Sequence, residues 1–271
     1  MACARLSDRR IISIAGPDRV AFLQGLVSND VSTCDAHTSI WAALLTPKGR
    51  YRADFFLSAQ DDRLLLDIDA TRADATLTQL KRYSLRAKIE ISLPEGQVYA
   101  GWDVPPPSGA CADPRLPQAG WRKIILEGAD MLQCDHDLAD YAAHCLALGL
   151  PPSSIYQIDE TLLLEANFDL LNGISWIKGC YVGQEVTARM HYRGGVKKRL
   201  VPVTTPQACL PDPGTILTLE DGQEAGEMRL AHVQTGVALL RKPFWRRSFR
   251  LNGIEIMPSP PAWFPNDDSD I

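Results

Sequence analysis

The spacing of apolar positions changes period several times along the chain. Ile11-Ile12-Ser13-Ile14-Ala15 is a short apolar run of strand length. Gly16-Pro17-Asp18 then opens a helix, with proline in its first turn and an acid close behind. Val20, Leu23, Leu26 and Val27 share one face of it until Asn29-Asp30. Ile40 to Leu45 and Tyr51 to Leu57 are two strands joined by the turn Pro47-Lys48-Gly49. After Asp61-Asp62 comes a third strand, Arg63 to Ile68, with Leu64, Leu66 and Ile68 alternating. Ala73, Leu77, Leu80 and Tyr83 predict a helix over Thr71 to Ser84, and Lys88 to Leu93 is another strand. Hairpins mixed with helices in this order predict an α+β fold with antiparallel sheets.

Proline breaks the pattern at Pro105-Pro106-Pro107-Ser108-Gly109 and again from Pro114 to Pro117. Proline lacks the N–H that helix and central strand need, so a boundary or long surface loop is expected there. Trp121 to Leu126 resumes as strand, and Asp137 to Leu148 as a helix stopped by Gly149 and Pro151-Pro152. Beyond Gly195 only short strands follow: Lys198 to Val203, Thr215 to Glu220, Gly226 to His232, Gly236 to Leu240 and Phe249 to Ile256, with Asp221-Gly222 as a hairpin turn. That is the pattern of a small β-barrel. The expected division is 1–104 as an N-terminal α+β domain, 105–195 as a second α+β domain, 196–258 as the barrel and 259–271 as a loose tail.

Composition narrows the function classes. A chain of 271 residues with 45% hydrophobic and 23% charged residues is that of an ordinary globular protein. No apolar run reaches the roughly 18 residues of a membrane span, and the first ten residues carry arginines without an apolar h-region. The expected location is a bacterial cytoplasm. A net charge of −5 argues against direct nucleic-acid binding. The basic runs Lys197-Lys198-Arg199 and Arg241-Lys242 with Arg246-Arg247 and Arg250 are either solvated strand faces or a landing site for an acidic partner or a polyglutamate tail. Seven cysteines, an odd number without CxxC spacing, argue against a disulfide framework and a zinc site. No cysteine set would hold an iron–sulfur cluster within the chain alone. His136 and His144 show no metal-ligand spacing, and no metal site is expected.

The densest chemistry lies in Lys178-Gly179-Cys180-Tyr181-Val182-Gly183-Gln184-Glu185, followed by a predicted helix through Arg193 and by Gly194-Gly195. A thiol at a glycine-rich helix entrance, two residues from Lys178, is expected to carry more thiolate than a free cysteine; otherwise Cys180 is a small buried hydrophobe. Glu165 follows the apolar run Leu162-Leu163-Leu164. On extended backbone it shares a face with Asn167 and Asp169, which is either a polar pocket wall or a solvated edge. Trp176 and Tyr181 are available to stack on a flat heterocycle or to pack. Asp54 lies between strand residues with Arg50 and Arg52 nearby as surface partners.

The octapeptide resembles the signature of the YgfZ proteins, folate-binding relatives of the glycine-cleavage T protein that include mitochondrial iron–sulfur assembly factors. Glu165-Ala166-Asn167-Phe168-Asp169, Gly173-Ile174-Ser175-Trp176 and Leu45-Thr46-Pro47-Lys48-Gly49-Arg50 fit the same resemblance, which runs from about Ile11 to about Arg241. It implies a T-protein-like ring of domains around a folate-sized cavity. Glu165 would hold the pterin of a tetrahydrofolate, with Asn167, Asp169, Trp176, Tyr181 and Asp54 lining the folate site and Lys48 and Arg50 contacting the carboxylates of its tail, and Cys180 with Lys178 would supply the reactive thiolate. A transient [2Fe–2S] cluster would be shared with an iron–sulfur carrier or client protein, including clients that methylthiolate tRNA. The implied function is a folate-dependent accessory factor for cluster assembly or repair. The alternative is a T-type aminomethyltransferase, so whether the chain is an enzyme stays open. The relatives show two adjacent acids where this chain has Ala53-Asp54, a departure that weighs against glycine-cleavage chemistry.

Overall fold

The computed structural model describes residues 2–207 and 209–266 and forms two compact units. Unit 1 holds the chain up to His144 together with Ile158–Glu160 and Leu171–Gln184. Unit 2 holds Cys145–Gln157, Thr161–Leu170 and the chain from Glu185 onward.

Unit 1 contains strands β1 (Cys3–Arg5), β2 (Arg9–Ala15), β3 (Ile40–Leu45), β4 (Tyr51–Gln60), β5 (Arg63–Asp69), β6 (Glu90–Ser92), β7 (Gly96–Gly101), β8 (Cys111–Ala112) and β9 (Trp121–Leu126). Its helices are α1 (Arg19–Gln24) and α2 (Ala70–Tyr83), and α3 (Leu138–Ala147) begins in it. One antiparallel sheet has the order β3-β4-β5-β2-β6. Alternation gives it two different faces. Ile12, Ile14, Ala42, Leu44, Phe55, Leu57, Leu64 and Leu66 pack with Leu23, Val27, Ala73 and Leu80 in a single apolar core. Asp69 caps α2 by accepting from the Thr71 N–H, and Lys81 and Arg82 lie in its last turn, where the helix dipole favours cations.

The other face is charged and still buried. Phe56 and Asp67 stand opposite each other on β4 and β5. The Arg122 guanidinium lies 3.9 Å from the Phe56 ring centroid, bonds Asp67 and donates to the Tyr141 hydroxyl at 2.6 Å. Arg9 donates to the other Asp67 oxygen, and Arg115 forms a two-pronged pair with Asp113. Burial alone would raise the Asp67 carboxyl; Arg122 and Arg9 hold it below the ordinary carboxylate range.

The second sheet of this unit runs β1-β7-β9-β8. It corrects the expected boundary at 104/105, because β7 before the proline-rich stretch pairs with β9 after it, from Gly96↔Leu126 to Gly101↔Trp121. The prolines form an excursion between two partner strands. β1, β7 and β8 were not legible as strands: β1 and β8 are very short, and glycine stands at both ends of β7. The expectation against disulfides is also corrected. Cys3 on β1 is joined to Cys134, with Cα atoms 5.0 Å apart and 131 residues of separation. His136, for which no metal-ligand spacing was expected, does have an acid at helical offset: Asp140, four residues on, at 3.1 Å.

In unit 2 lie α4 (Gln184–Arg189), all but its first residue, and strands β10 (Lys198–Thr204), β11 (Ile216–Thr218), β12 (Glu224–His232), β13 (Thr235–Arg241), β14 (Phe249–Leu251) and β15 (Ile254–Pro258). The six strands form one antiparallel sheet in the order β11-β12-β13-β10-β15-β14. Of the tail expected to be loose, 267–271 lies outside the described residues.

Arg199 on β10 was read as part of a basic run that was either a solvated face or a landing site. It is fully buried instead. Its guanidinium donates to both Asp169 oxygens at 2.9 and 2.7 Å, to the Asn167 side-chain oxygen at 3.2 Å and to the Leu164 carbonyl at 2.7 Å. A buried pair is destabilising to break because the surviving charge is left uncompensated. Asp169→Ala is therefore expected to lower the unfolding free energy by about 3–5 kcal/mol in denaturant titration, and Asp169→Leu with Arg199→Met to recover most of that loss.

Candidate functional site

Two segments far apart in sequence build the candidate site in unit 1. The first is the chain after α1, Gly25 to Val31. The second is Leu171 to Gly183, which carries the octapeptide. The Ser28 hydroxyl donates to the Gly173 carbonyl at 2.7 Å and accepts from the Ala43 N–H at 2.9 Å, tying both segments to β3. The Ser175 N–H donates to the Ser28 carbonyl, the Val182 N–H to the Gly25 carbonyl, and the Asn29 amide to the Asn172 carbonyl.

Lys178 fixes the middle of this loop. Its side chain is buried, and Nζ donates to the carbonyls of Val27 and Asn29, both at 2.8 Å, while lying 5.2 Å from the centroid of the Tyr181 ring. The expected role of activating the neighbouring thiol is therefore replaced by an anchoring one: the ammonium is directed inward onto backbone oxygens. Cys180, two residues on, is exposed, which excludes the buried-hydrophobe reading.

The helix entrance also differs from expectation. α4 has six residues, starts at Gln184 and passes at Met190–Gly194 into a π-helical turn. Cys180 thus stands four residues ahead of the first helical residue, outside the reach of its free N–H groups. The turn between them is made by Gly183 at φ +83°. A Cβ there would lie 2.5 Å from the Thr46 carbonyl oxygen and 3.0 Å from the Gly49 Cα. This close approach seats the octapeptide on the Thr46–Gly49 turn, so two stretches singled out separately in the sequence are packed together.

The other expected site residues are placed as follows. Asp54 is buried, accepting from the Trp41 indole at 2.8 Å and from the Tyr51 hydroxyl at 2.6 Å, so the expected surface pairing with Arg50 and Arg52 is corrected. Arg50 donates to the Glu160 carbonyl at 2.6 Å, and Arg52 pairs with Asp159 at 2.7 Å. Lys48 is exposed at its turn, Trp176 is half-buried and Tyr181 is buried. In unit 2, Glu165 is half-buried and its carbonyl accepts from the Leu200 N–H. The extended backbone expected for Glu165, Asn167 and Asp169 is not found. The segment is a succession of turns, with Asn167 at φ +63°, and the side chains of Asn167 and Asp169 are engaged by Arg199. The hydrogen-bond partners Trp41, Tyr51 and Arg199 were missed; Tyr51 and Trp41 could have been placed beside Asp54 from the predicted hairpin. Among the described residues no group of three or more metal-ligating side chains is found.

Residues 197–266 match the family described as CAF17, C-terminal beta-barrel domain. The human mitochondrial iron–sulfur cluster assembly factor IBA57 is 30% identical over 310 residues, an alignment covering 97% of this chain and 85% of that protein. The chain belongs to the IBA57 family. The mitochondrial IBA57 homologs of Mycosarcoma maydis and Neurospora crassa are 34% and 31% identical over 79% and 80% of this chain. The alignments span only 59% and 58% of those two fungal proteins. Aminomethyltransferase T of the glycine cleavage system from Bartonella henselae superposes with a TM-score of 0.76 at 14% identity, over 97% of this chain and 86% of that one, so the fold is the same. The expected bacterial cytoplasmic location is overturned by these IBA57 relatives, which are mitochondrial proteins of eukaryotes.

The Lys178 amine is pushed down to about 8, because burial disfavours the ammonium while Asp30 partly opposes the shift. The ordinary lysine value is 10.5, so between these limits the unfolded chain binds more protons than the folded one, and stability rises with pH. The expected rise is on the order of 3 kcal/mol. Lys178→Met should lack it, which unfolding midpoints of both proteins across about pH 7 to 10.5 will show.

Proposed function

We propose that this protein is an accessory factor for the assembly or repair of iron–sulfur clusters, with Cys180 as the ligand through which it touches the cluster. The observation that carries the reading is an exposed thiol on a loop held rigid by the buried Lys178 ammonium. In the contact step the Cys180 proton passes to solvent as the Sγ–Fe bond forms and one exchangeable ligand leaves that iron, with no change of oxidation state. One thiolate cannot complete the coordination of a cluster. The remaining ligands would come from an iron–sulfur carrier or client protein, tRNA-methylthiolating enzymes among the clients. Membership in the IBA57 family supports this reading. Cells lacking the protein should regain tRNA methylthiolation with the wild type and not with Cys180→Ser at equal abundance. Equal rescue by both would remove the thiol from the mechanism.

Tetrahydrofolate is the second element of the proposal, supported by the fold shared with aminomethyltransferase T. The side chains present fit it only in part. Asn167 and Asp169 are committed to Arg199, Asp54 to Trp41 and Tyr51, and Arg50 to a backbone carbonyl. The half-buried Glu165 is the carboxylate that the resemblance to the T proteins assigns to a pterin N–H and its amino group. Glu165→Ala is expected to weaken tetrahydrofolate binding at least about tenfold by titration calorimetry, the scale of one charged hydrogen bond. The aminomethyltransferase alternative shares the fold, but both oxygens of Asp54 are already occupied, which leaves that carboxylate poorly placed to act on a substrate.

A further inference from the structure

Helix α2 buries Ala73 and Leu80 in the apolar core of unit 1. Its outer face borders a cleft of about 380 Å³ that is also lined by Arg52 of β4 and by Ile158, all within the same unit. A polar solvent face is the ordinary arrangement for a surface helix. This one differs in being concave and in placing two large, mainly apolar side chains at the cleft, Tyr83 at 44% exposure and Ile158 at 41%.

The charge of the cleft is one-sided. Arg52, Arg72 and Arg82 line it and no Asp or Glu does, in a chain whose net charge is −5. Arg52 pairs with Asp159 at 2.7 Å, an exposed contact of small strength. Among the described residues Arg72 and Arg82 take part in no hydrogen bond, ion pair or ring contact. Two guanidinium groups therefore keep all their donors unspent.

Their spacing decides what can engage both. Ten residues of α-helix separate them, about 15 Å along the axis. Side chains on a helix tilt toward its N-terminus, so the two guanidinium groups lean the same way and keep that separation. One small anion does not bridge it. Two carboxylates on an extended backbone do when they lie four or five residues apart, at about 3.3 Å per residue. The phosphate chain of a nucleic acid would run on from the cleft toward the exposed Asp74 and Asp159, where like charges repel.

We propose that this cleft is a docking site for an acidic, extended segment of a partner protein. Arg72 and Arg82 each hold one carboxylate by charge-assisted hydrogen bonds, and Tyr83 and Ile158 receive an apolar side chain between them. No residue of the octapeptide takes part, so the inference is independent of the reading of Cys180.

The test selects a random dodecapeptide library displayed on phage against the full-length wild type and, in parallel, against the double variant Arg72→Glu with Arg82→Glu. Sequences enriched on the wild type alone should carry two acids four or five residues apart with an apolar residue between them. The most enriched peptide is then synthesised with a fluorophore and titrated by fluorescence polarisation. Arg72→Ala and Arg82→Ala should each weaken its binding at least about tenfold, the scale of one charge-assisted hydrogen bond. Lys81→Ala, on the same helix but outside the cleft, should leave it unchanged. All three single variants should unfold at the wild-type midpoint. Equal enrichment on both proteins, enriched peptides without the acid pair, or a loss with Lys81→Ala as large as with the arginine variants would each overturn the proposal. So would a decauridine RNA that binds more tightly than the peptide with the same arginine dependence, which would assign the cleft to a phosphate backbone.

Discussion

The Lys178 ammonium, buried on two backbone carbonyls, is the interaction on which the candidate site depends. A cation out of water must be compensated, and here Val27 and Asn29 supply acceptors at hydrogen-bond distance on either side of Ser28. Ser28 itself joins Gly173 to Ala43. A three-residue piece of chain after α1 therefore holds the octapeptide loop on one side and the central sheet on the other. Removing the ammonium would strand two carbonyls as well as a charge site, and an unsatisfied buried acceptor costs about 1–3 kcal/mol. An apolar side chain of similar length could fill the volume but could not hold the loop's direction.

That direction is what makes Cys180 available. Cysteine is among the residue types most often buried, and Cys111 and Cys145 in this chain are. Cys180 is exposed because its neighbours at 178, 181 and 182 are fastened inward and the turn at Gly183 sits against Thr46 and Gly49. Its exposure is a consequence of anchoring on both sides rather than of a loose loop.

Much of the framework was legible because it is local. The hairpin through Pro47-Lys48-Gly49 and the helix over 70–83 follow from periods of two and 3.6 residues, and the octapeptide stood out by composition. What escaped detection depends on partners distant in sequence. Arg199 reads as one more member of a basic run until Asp169, thirty residues earlier, is brought beside it. β7 becomes recognisable only once β9 lies along it, across the proline stretch that resembled a boundary. Asn167 was placed on extended backbone because alternation with Glu165 and Asp169 suited a strand; the turn it adopts instead leaves its amide oxygen to a buried guanidinium. The pairing of Cys3 with Cys134 could not be found from spacing at all.

The same distinction bears on chemistry. This chain shares its fold with an aminomethyltransferase at 14% identity, and at that distance a common backbone does not carry a common reaction. Reactions need side chains with unspent hydrogen-bonding or bonding capacity. In the sheet interior Asp54 has spent its oxygens on Trp41 and Tyr51, and Asp67 has spent its own on Arg9 and Arg122. These carboxylates stabilise packing and fix the orientation of aromatic neighbours. The exposed thiol of the octapeptide lies on a surface loop, outside the polar face of the sheet. A fold can be shared in this way while a side chain with bonding capacity to spare sits on a loop, provided the loop is fastened as tightly as a strand would be; here the fastening is the buried Lys178 together with the Ser28, Ser175 and Val182 hydrogen bonds.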